Sequence, residues 1–189
     1  MIRIGILGEI GSGKSYVANN FGYPVFNADL EVSNIYKKNK KIFHRLNKKL
    51  PKHITSFPID KKQITEAILC NNSNLEKILK IVHSEIRTKM NLFLNKNKNK
   101  KIVILDIPLL LENKINQKKD VLVFVDSPKK IVNERLKKRV NFNNNLFTKF
   151  KKIQYDSVYK KRKSQFTIKN KFTKKSVNIG IKNILKKIM

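Results

Sequence analysis

Acidic residues are scarce in this 189-residue chain: 13 Asp and Glu stand against 43 Lys and Arg, a formal charge of +30 at pH 7. Such a field attracts polyanions, whether nucleic acid, an anionic membrane or a phosphorylated small molecule. Arginine is also scarce, limited to Arg3, Arg45, Arg87, Arg135, Arg139 and Arg162, so the excess is lysine spread among many Asn and Ile. These are residues that A/T-rich codons specify, and codon composition explains the charge without a dedicated nucleic-acid surface. Cys70 is the single cysteine, which excludes an intrachain disulfide and a cysteine-held zinc. Its setting, Ala67-Ile68-Leu69-Cys70, predicts a buried small apolar side chain rather than a catalytic thiol. Long apolar runs are missing too, none approaching the roughly 18 residues of a membrane span. The first residues open into a strand without a separate signal segment. These absences predict a soluble, cytoplasmic protein with no membrane partner, and no internal repeat is visible.

What is present centres on Gly8-Glu9-Ile10-Gly11-Ser12-Gly13-Lys14-Ser15. It follows the apolar run Ile2 to Leu7, which reads as a strand, and leads into a helix over Ser15 to Phe21. Strand, Gly-rich loop and helix in that order make a phosphate-binding loop. Gly8, Gly11 and Gly13 let backbone N–H groups turn inward around a phosphate. Ser12 and Tyr16 flank the cradle, Lys14 reaches the terminal phosphates, and the Ser15 hydroxyl is a Mg²⁺ ligand candidate. A nucleoside triphosphate is the ligand this pattern requires.

Further along, Tyr23 to Asp29 reads as a short strand ending in a carboxylate. Helices follow over Leu30 to Lys38 and Lys41 to Leu50, with Leu30, Ile35, Ile42, Phe43 and Leu46 as the inward residues. Pro51 to Pro58 is a loop, Asp60 caps a helix through Leu69, and Ser73 or Asn74 caps a longer one reaching Leu94. Roughly 70 helical residues thus separate the second strand from the third, too many for one crossover helix and suited to an inserted substrate-binding lobe.

Ile102 to Asp106 and Val121 to Asp126 are apolar runs ending in Asp, the pattern of strands buried on both faces. Asp106 is placed to hold Mg²⁺ beside the loop. Ser127-Pro128 opens a helix on which Arg135 and Arg139 share one face, both suited to phosphate because their donors are planar and fixed. After the polar patch Asn141 to Asn145, a long basic helical stretch runs to Lys163. Phe166 to Ile168 is a short fifth strand, and Val177 to Ile188 a closing amphipathic helix. The residues beyond Asp156 carry no acid.

With these motifs the chain resembles the bacterial dephospho-coenzyme A kinases from Ile2 to about Asn170. The resemblance rests on the Gly8–Ser15 loop, Val25-Phe26-Asn27-Ala28-Asp29, Asp60-Lys61, Val82-His83 and Asp106-Ile107-Pro108-Leu109-Leu110-Leu111-Glu112-Asn113. Val125-Asp126, Arg135 with Arg139, and Gln154 complete it. It implies an α/β fold of the P-loop NTPase type: a parallel five-stranded sheet flanked by helices, with a helical substrate-binding insertion and a lid. The expected division is a core over 1–29, 101–135 and 164–189, an insertion over 30–100, and a lid with its following helix over 136–163.

The implied activity is Mg²⁺-assisted transfer of the ATP γ-phosphoryl group to the ribose 3′-hydroxyl of dephospho-coenzyme A. Catalytic roles fall on Asp29, Lys14 and Arg135, with Asp29 accepting the hydroxyl proton. ATP falls to Gly8, Gly11, Ser12, Gly13, Lys14, Ser15, Tyr16 and Arg139. The acceptor falls to Asp29, Lys61, His83, Pro108 and Leu109, and the metal to Ser15 and Asp106. A monomer or weak homo-oligomer without a specific nucleic-acid partner is expected. Departures from the family pattern include Glu9 and Tyr16 in and after the loop, Asn27 for the first acid of Asp-Ala-Asp, Lys61 for an Arg, Ser84, Val132, and Asn170-Lys171. Two other readings fit the motifs: a kinase of the same fold acting on a nucleoside monophosphate or another small alcohol, and a basic nucleic-acid-binding NTPase.

Overall fold

The computed structural model describes residues 1–139 and 142–189. It divides into two compact units: Met1–Asn27, Asn97–Asn143 and Phe147–Met189 form one, and Ala28–Lys96 with Asn144–Leu146 the other.

The first unit is built on five parallel strands, β1 (Ile2–Gly8), β2 (Val25–Asn27), β3 (Ile102–Asp106), β4 (Val121–Asp126) and β5 (Phe166–Lys169), in the order β2-β3-β1-β4-β5. Every residue of β3 is buried, the continuous apolar signature of a strand covered on both faces. Ile4, Ile6, Ile102, Ile104, Val123, Val125 and Ile168 make one apolar face, which packs on α1 (Lys14–Asn20) and α9 (Lys174–Ile188) through Val17, Ala18, Phe21, Val177, Ile181 and Ile184. α8 (Ser157–Lys163) packs against β1 and β4. Below the strands' N-terminal ends, Arg3 and Asp120 form a buried two-pronged pair, with Nε–Oδ1 and Nη2–Oδ2 both at 3.0 Å. Burial nevertheless pushes the Asp120 carboxyl above the usual range, against the pull of the Gln117 N–H and the arginine.

In the second unit the long helix α5 (Asn72–Lys96) is the element against which α2 (Ala28–Lys38), α3 (Lys40–Lys49) and α4 (Lys61–Cys70) pack. Its buried stripe is Leu75, Ile78, Ile81, Val82, Ile86 and Met90, the 3/4 spacing of one helix face. Asp60 caps α4 as its sequence position predicts, its side chain accepting from Lys62 N–H.

Several expectations are corrected. β2 stops at Asn27, and Asp29 lies in the first turn of α2, where an acid suits the helix N-terminus. Leu30 is 60% exposed because α2 buries Ala28, Ile35 and Tyr36 instead. α5 starts one residue before Ser73; Asn71 supplies the side-chain oxygen that accepts from Ser73 N–H. Cys70 is exposed, since α4 buries Ile64, Ala67 and Ile68 and residue 70 falls off that stripe. α6 (Lys129–Lys137) ends before Arg139, whose N–H instead closes a tight turn onto the Leu136 carbonyl at 3.1 Å. Arg135 and Arg139 therefore do not share a helix face. The basic stretch to Lys163 is two helices, α7 (Asn144–Lys152) and α8, interrupted where Asp156 caps α8 by accepting from Tyr159 N–H. Asn141, the first residue of the polar patch, lies outside the described residues.

Candidate active site

The phosphate loop leaves β1 at Gly8 and enters α1 at Lys14, with Gly13 in the left-handed region (φ 86°) as the residue before the helix. A Cβ at Gly13 would fall 2.6 Å from Asn170 Nδ2, and one at Gly11 3.0 Å from Leu136 and 3.1 Å from Val132. These glycines are thus required by backbone angle and by close packing at once. Ser12, 2% exposed, is the fixed point of the loop. Its carbonyl accepts from Ser127 Oγ at 2.8 Å and from Asn170 Nδ2 at 2.9 Å, which ties the loop to the ends of β4 and β5. Asn170 N–H donates to the Asp126 carbonyl at 2.7 Å.

Lys14 folds back over the loop, its Nζ donating to the Glu9 and Gly8 carbonyls at 2.8 and 3.2 Å. Ser15 and Tyr16 are exposed at the start of α1. Glu9 helps wall a crevice of about 200 Å³ shared with Ser12, Asp126, Ser127, Lys129 and Lys161.

Asp106, 4% exposed, ends β3 beside β1; the parallel register pairs Gly5 with Leu105 and Asn27 with Asp106. Asn27 Nδ2 donates to Asp106 Oδ2 at 2.8 Å. An acid at residue 27 would set a second anion against that carboxylate, whereas the amide supplies a donor. Among the described residues no group of three or more His, Cys, Asp or Glu side chains is gathered to hold a metal. The candidates read from the sequence, Ser15 and Asp106, offer one hydroxyl and one carboxylate. That set fits Mg²⁺, which binds through one or two protein oxygens plus phosphates and water, and does not fit a cation needing an all-protein cage.

Of the arginines, Arg135 lays its guanidinium over the Phe172 ring, Cζ 4.6 Å from the centroid, while Arg139 is exposed beyond α6. Pro108 and the buried Leu109 follow β3 in the same unit. Asp29 and Lys61 are exposed on α2 and α4 of the second unit. His83 is half-buried on α5; burial first, and then Arg87, lower its pKa and favour the neutral imidazole.

The clamp residues Ser127 and Asn170 escape sequence reasoning, and so does Lys160. Lys160 is one of four consecutive cations in a basic run, yet it pairs with Glu112 at 2.9 Å with both side chains buried, and lies 3.3 Å from Gln154 Oε1. It joins two of the quoted motifs, Glu112 and Gln154. No spacing rule links Lys160 to Glu112, which lies in a distant part of the chain.

A parallel sheet in the order β2-β3-β1-β4-β5, with a Gly-rich loop between its central strand and a helix, defines a phosphate-loop nucleotide-binding fold. Solved structures agree on that fold: one from Thermus thermophilus superposes with a TM-score of 0.76 at 22% identity, covering 100% of this chain and 98% of that one. A dephospho-CoA kinase from Campylobacter jejuni gives 0.61 at 22% identity, covering 98% and 96%. A family model described as dephospho-CoA kinase matches residues 2–175. A dephospho-CoA kinase of Wolbachia sp. subsp. Brugia malayi (strain TRS) is 32% identical over 187 residues, 96% of this chain and 95% of the relative. The chain belongs to the dephospho-CoA kinase family, whose members transfer a phosphoryl group from ATP to dephospho-CoA in coenzyme A synthesis.

Proposed function

We propose that this chain phosphorylates the ribose 3′-hydroxyl of dephospho-CoA, with Asp29 accepting the hydroxyl proton and Lys14, the loop amides and Arg135 holding the γ-phosphoryl group. The observation that carries the reading is the loop itself: Ser12 fixed by Ser127 and Asn170, with the Lys14 ammonium drawn over it. Phosphoryl transfer requires little covalent help from the protein, so prepositioned donors supply most of the rate. Tyr16 and Arg139 line the ATP side, and Lys61, His83, Pro108 and Leu109 receive the acceptor. A neutral His83 offers the acceptor one donor and one acceptor nitrogen rather than a cation.

Ser15 and Asp106 are the residues that would hold Mg²⁺. When bound, that ion neutralises charge on the β- and γ-phosphates. Asn27 keeps the Asp106 carboxylate turned by donating to Oδ2.

The test is ATP consumption by purified protein with and without dephospho-CoA, beside nucleoside monophosphates and other small alcohols. ATP is expected to be consumed only with dephospho-CoA, and a preferred nucleotide acceptor would overturn the assignment. Asp29→Asn is expected to lower turnover about 10²-fold or more at nearly unchanged ATP binding, and full activity would remove Asp29 as the base. Lys14→Ala is expected to abolish transfer or nearly so.

A further inference from the structure

Phe172 has a backbone conformation that suits glycine: its φ is 59°, in the left-handed region. A bulky L-residue stays there only when its surroundings over-determine it. Its N–H donates to Asn170 Oδ1 at 2.9 Å, and Asn170, 1% exposed, is the residue that clamps the Ser12 carbonyl. The ring itself reaches the phosphate loop, since a Cβ at Gly13 would meet Phe172 Cε1 at 3.6 Å. On the ring lies Arg135, with Cζ 4.6 Å from its centroid.

A guanidinium can be immobilised in two ways. A carboxylate would neutralise it and occupy its N–H donors, whereas an aromatic face holds the flat of the group and leaves the donor edge available to a phosphate. None of the described ion pairs involves Arg135. We propose that Phe172 is a positioning residue for Arg135, held in a strained conformation because its ring must present a face to the guanidinium beside the phosphate loop. The inference rests on the reading of Arg135 as the arginine that meets the transferring phosphoryl group. A ring at residue 172 removes rotamer freedom from a long exposed side chain before substrate arrives, and the gain appears in turnover more than in ATP affinity.

The test compares Phe172→Gly, Phe172→Leu, Phe172→Tyr and Arg135→Met in the full chain, reading the thermal midpoint, kcat and KM for ATP at saturating dephospho-CoA. Phe172→Gly relieves the backbone and removes the ring; it is expected to melt no lower than the wild type while kcat falls about 10-fold, with KM for ATP little changed. Phe172→Leu keeps apolar bulk without the π face and is expected to lose as much, while Phe172→Tyr recovers most of the loss. Combined with Arg135→Met, Phe172→Gly is expected to cause no further fall, because both changes remove one interaction. Wild-type turnover in Phe172→Gly, equal turnover in the Leu and Tyr variants, or additive losses in the double variant would overturn the proposal. Slow turnover in Arg135→Met with Phe172→Gly unaffected would leave the role of Arg135 intact and remove only that of Phe172. Full turnover in Arg135→Met would remove both.

Discussion

Asn170 commits its backbone N–H, its side-chain nitrogen and its side-chain oxygen to the surroundings of the phosphate loop, bonding Asp126, Ser12 and Phe172 in turn. Truncating it leaves the carbonyl of the buried Ser12 with one fewer donor. Asn170→Ala is therefore expected to cost about 1–3 kcal/mol of stability and to raise KM for ATP, since the loop loses its tie to β5. Thermal melts and ATP titration of the rate check this, and a variant unchanged in both would show that Ser127 alone fixes the loop. At this scale the sequence points to the phosphate loop but not to what supports it. Gly8 to Ser15 is legible because backbone angle and residue type are linked locally. Asn170 and Ser127 reach the loop only through the sheet. Asn27, in the sequence a lost acid, becomes in the structure the donor to Asp106.

Among the elements, the long apolar strands are legible in the sequence, while the short β2 and several helix ends are not. Runs such as Ile102 to Asp106 are buried on both faces and carry no competing period. Helix ends depend on single capping contacts: the turn at Lys138 that leaves Arg139 outside α6, or Asp156 restarting the chain as α8 within a basic run that reads as continuous. Cys70 and Leu30 are exposed because each helix buries a stripe of a few residues, and apolar neighbours in sequence do not identify that stripe. α8 is also held by a buried ion pair. Lys160 and Glu112 are 1% and 8% exposed at the side chain, so removing one partner strands the other in a dry site. Lys160→Met is expected to cost about 3–5 kcal/mol, with Lys160→Met/Glu112→Gln recovering part of it. Urea unfolding of the two variants measures the difference, and equal losses would contradict the pairing.

For the whole molecule the dominant quantity is the formal charge of +30. Self-repulsion at that charge opposes compaction and is screened over about 10 Å at 0.1 M salt. Raising NaCl from about 20 to about 300 mM is expected to raise the melting temperature, and a fall would show that paired charges outweigh repulsion. Duplex DNA bound through scattered lysines is expected to be released over the same range. Retention with nucleic-acid-stimulated ATPase would revive the reading as a nucleic-acid-dependent enzyme. No helix among the described residues is long and apolar enough to cross a membrane.

The strand order also has a consequence for how the chain is made. β1 finds its partners only in β3 and β4, which begin at Ile102 and Val121. At roughly 5–20 residues per second of synthesis, the first strand waits on the order of 5–20 s for its first neighbour. During that interval the contiguous stretch Ala28–Lys96 already holds α2 to α5 of the second unit, whose mutual contacts need no later part of the chain. The apolar edge of β1 and the unfinished phosphate loop stay open to chaperones and to other nascent chains, so a truncated product ending before residue 102 is the form of this protein most prone to aggregate.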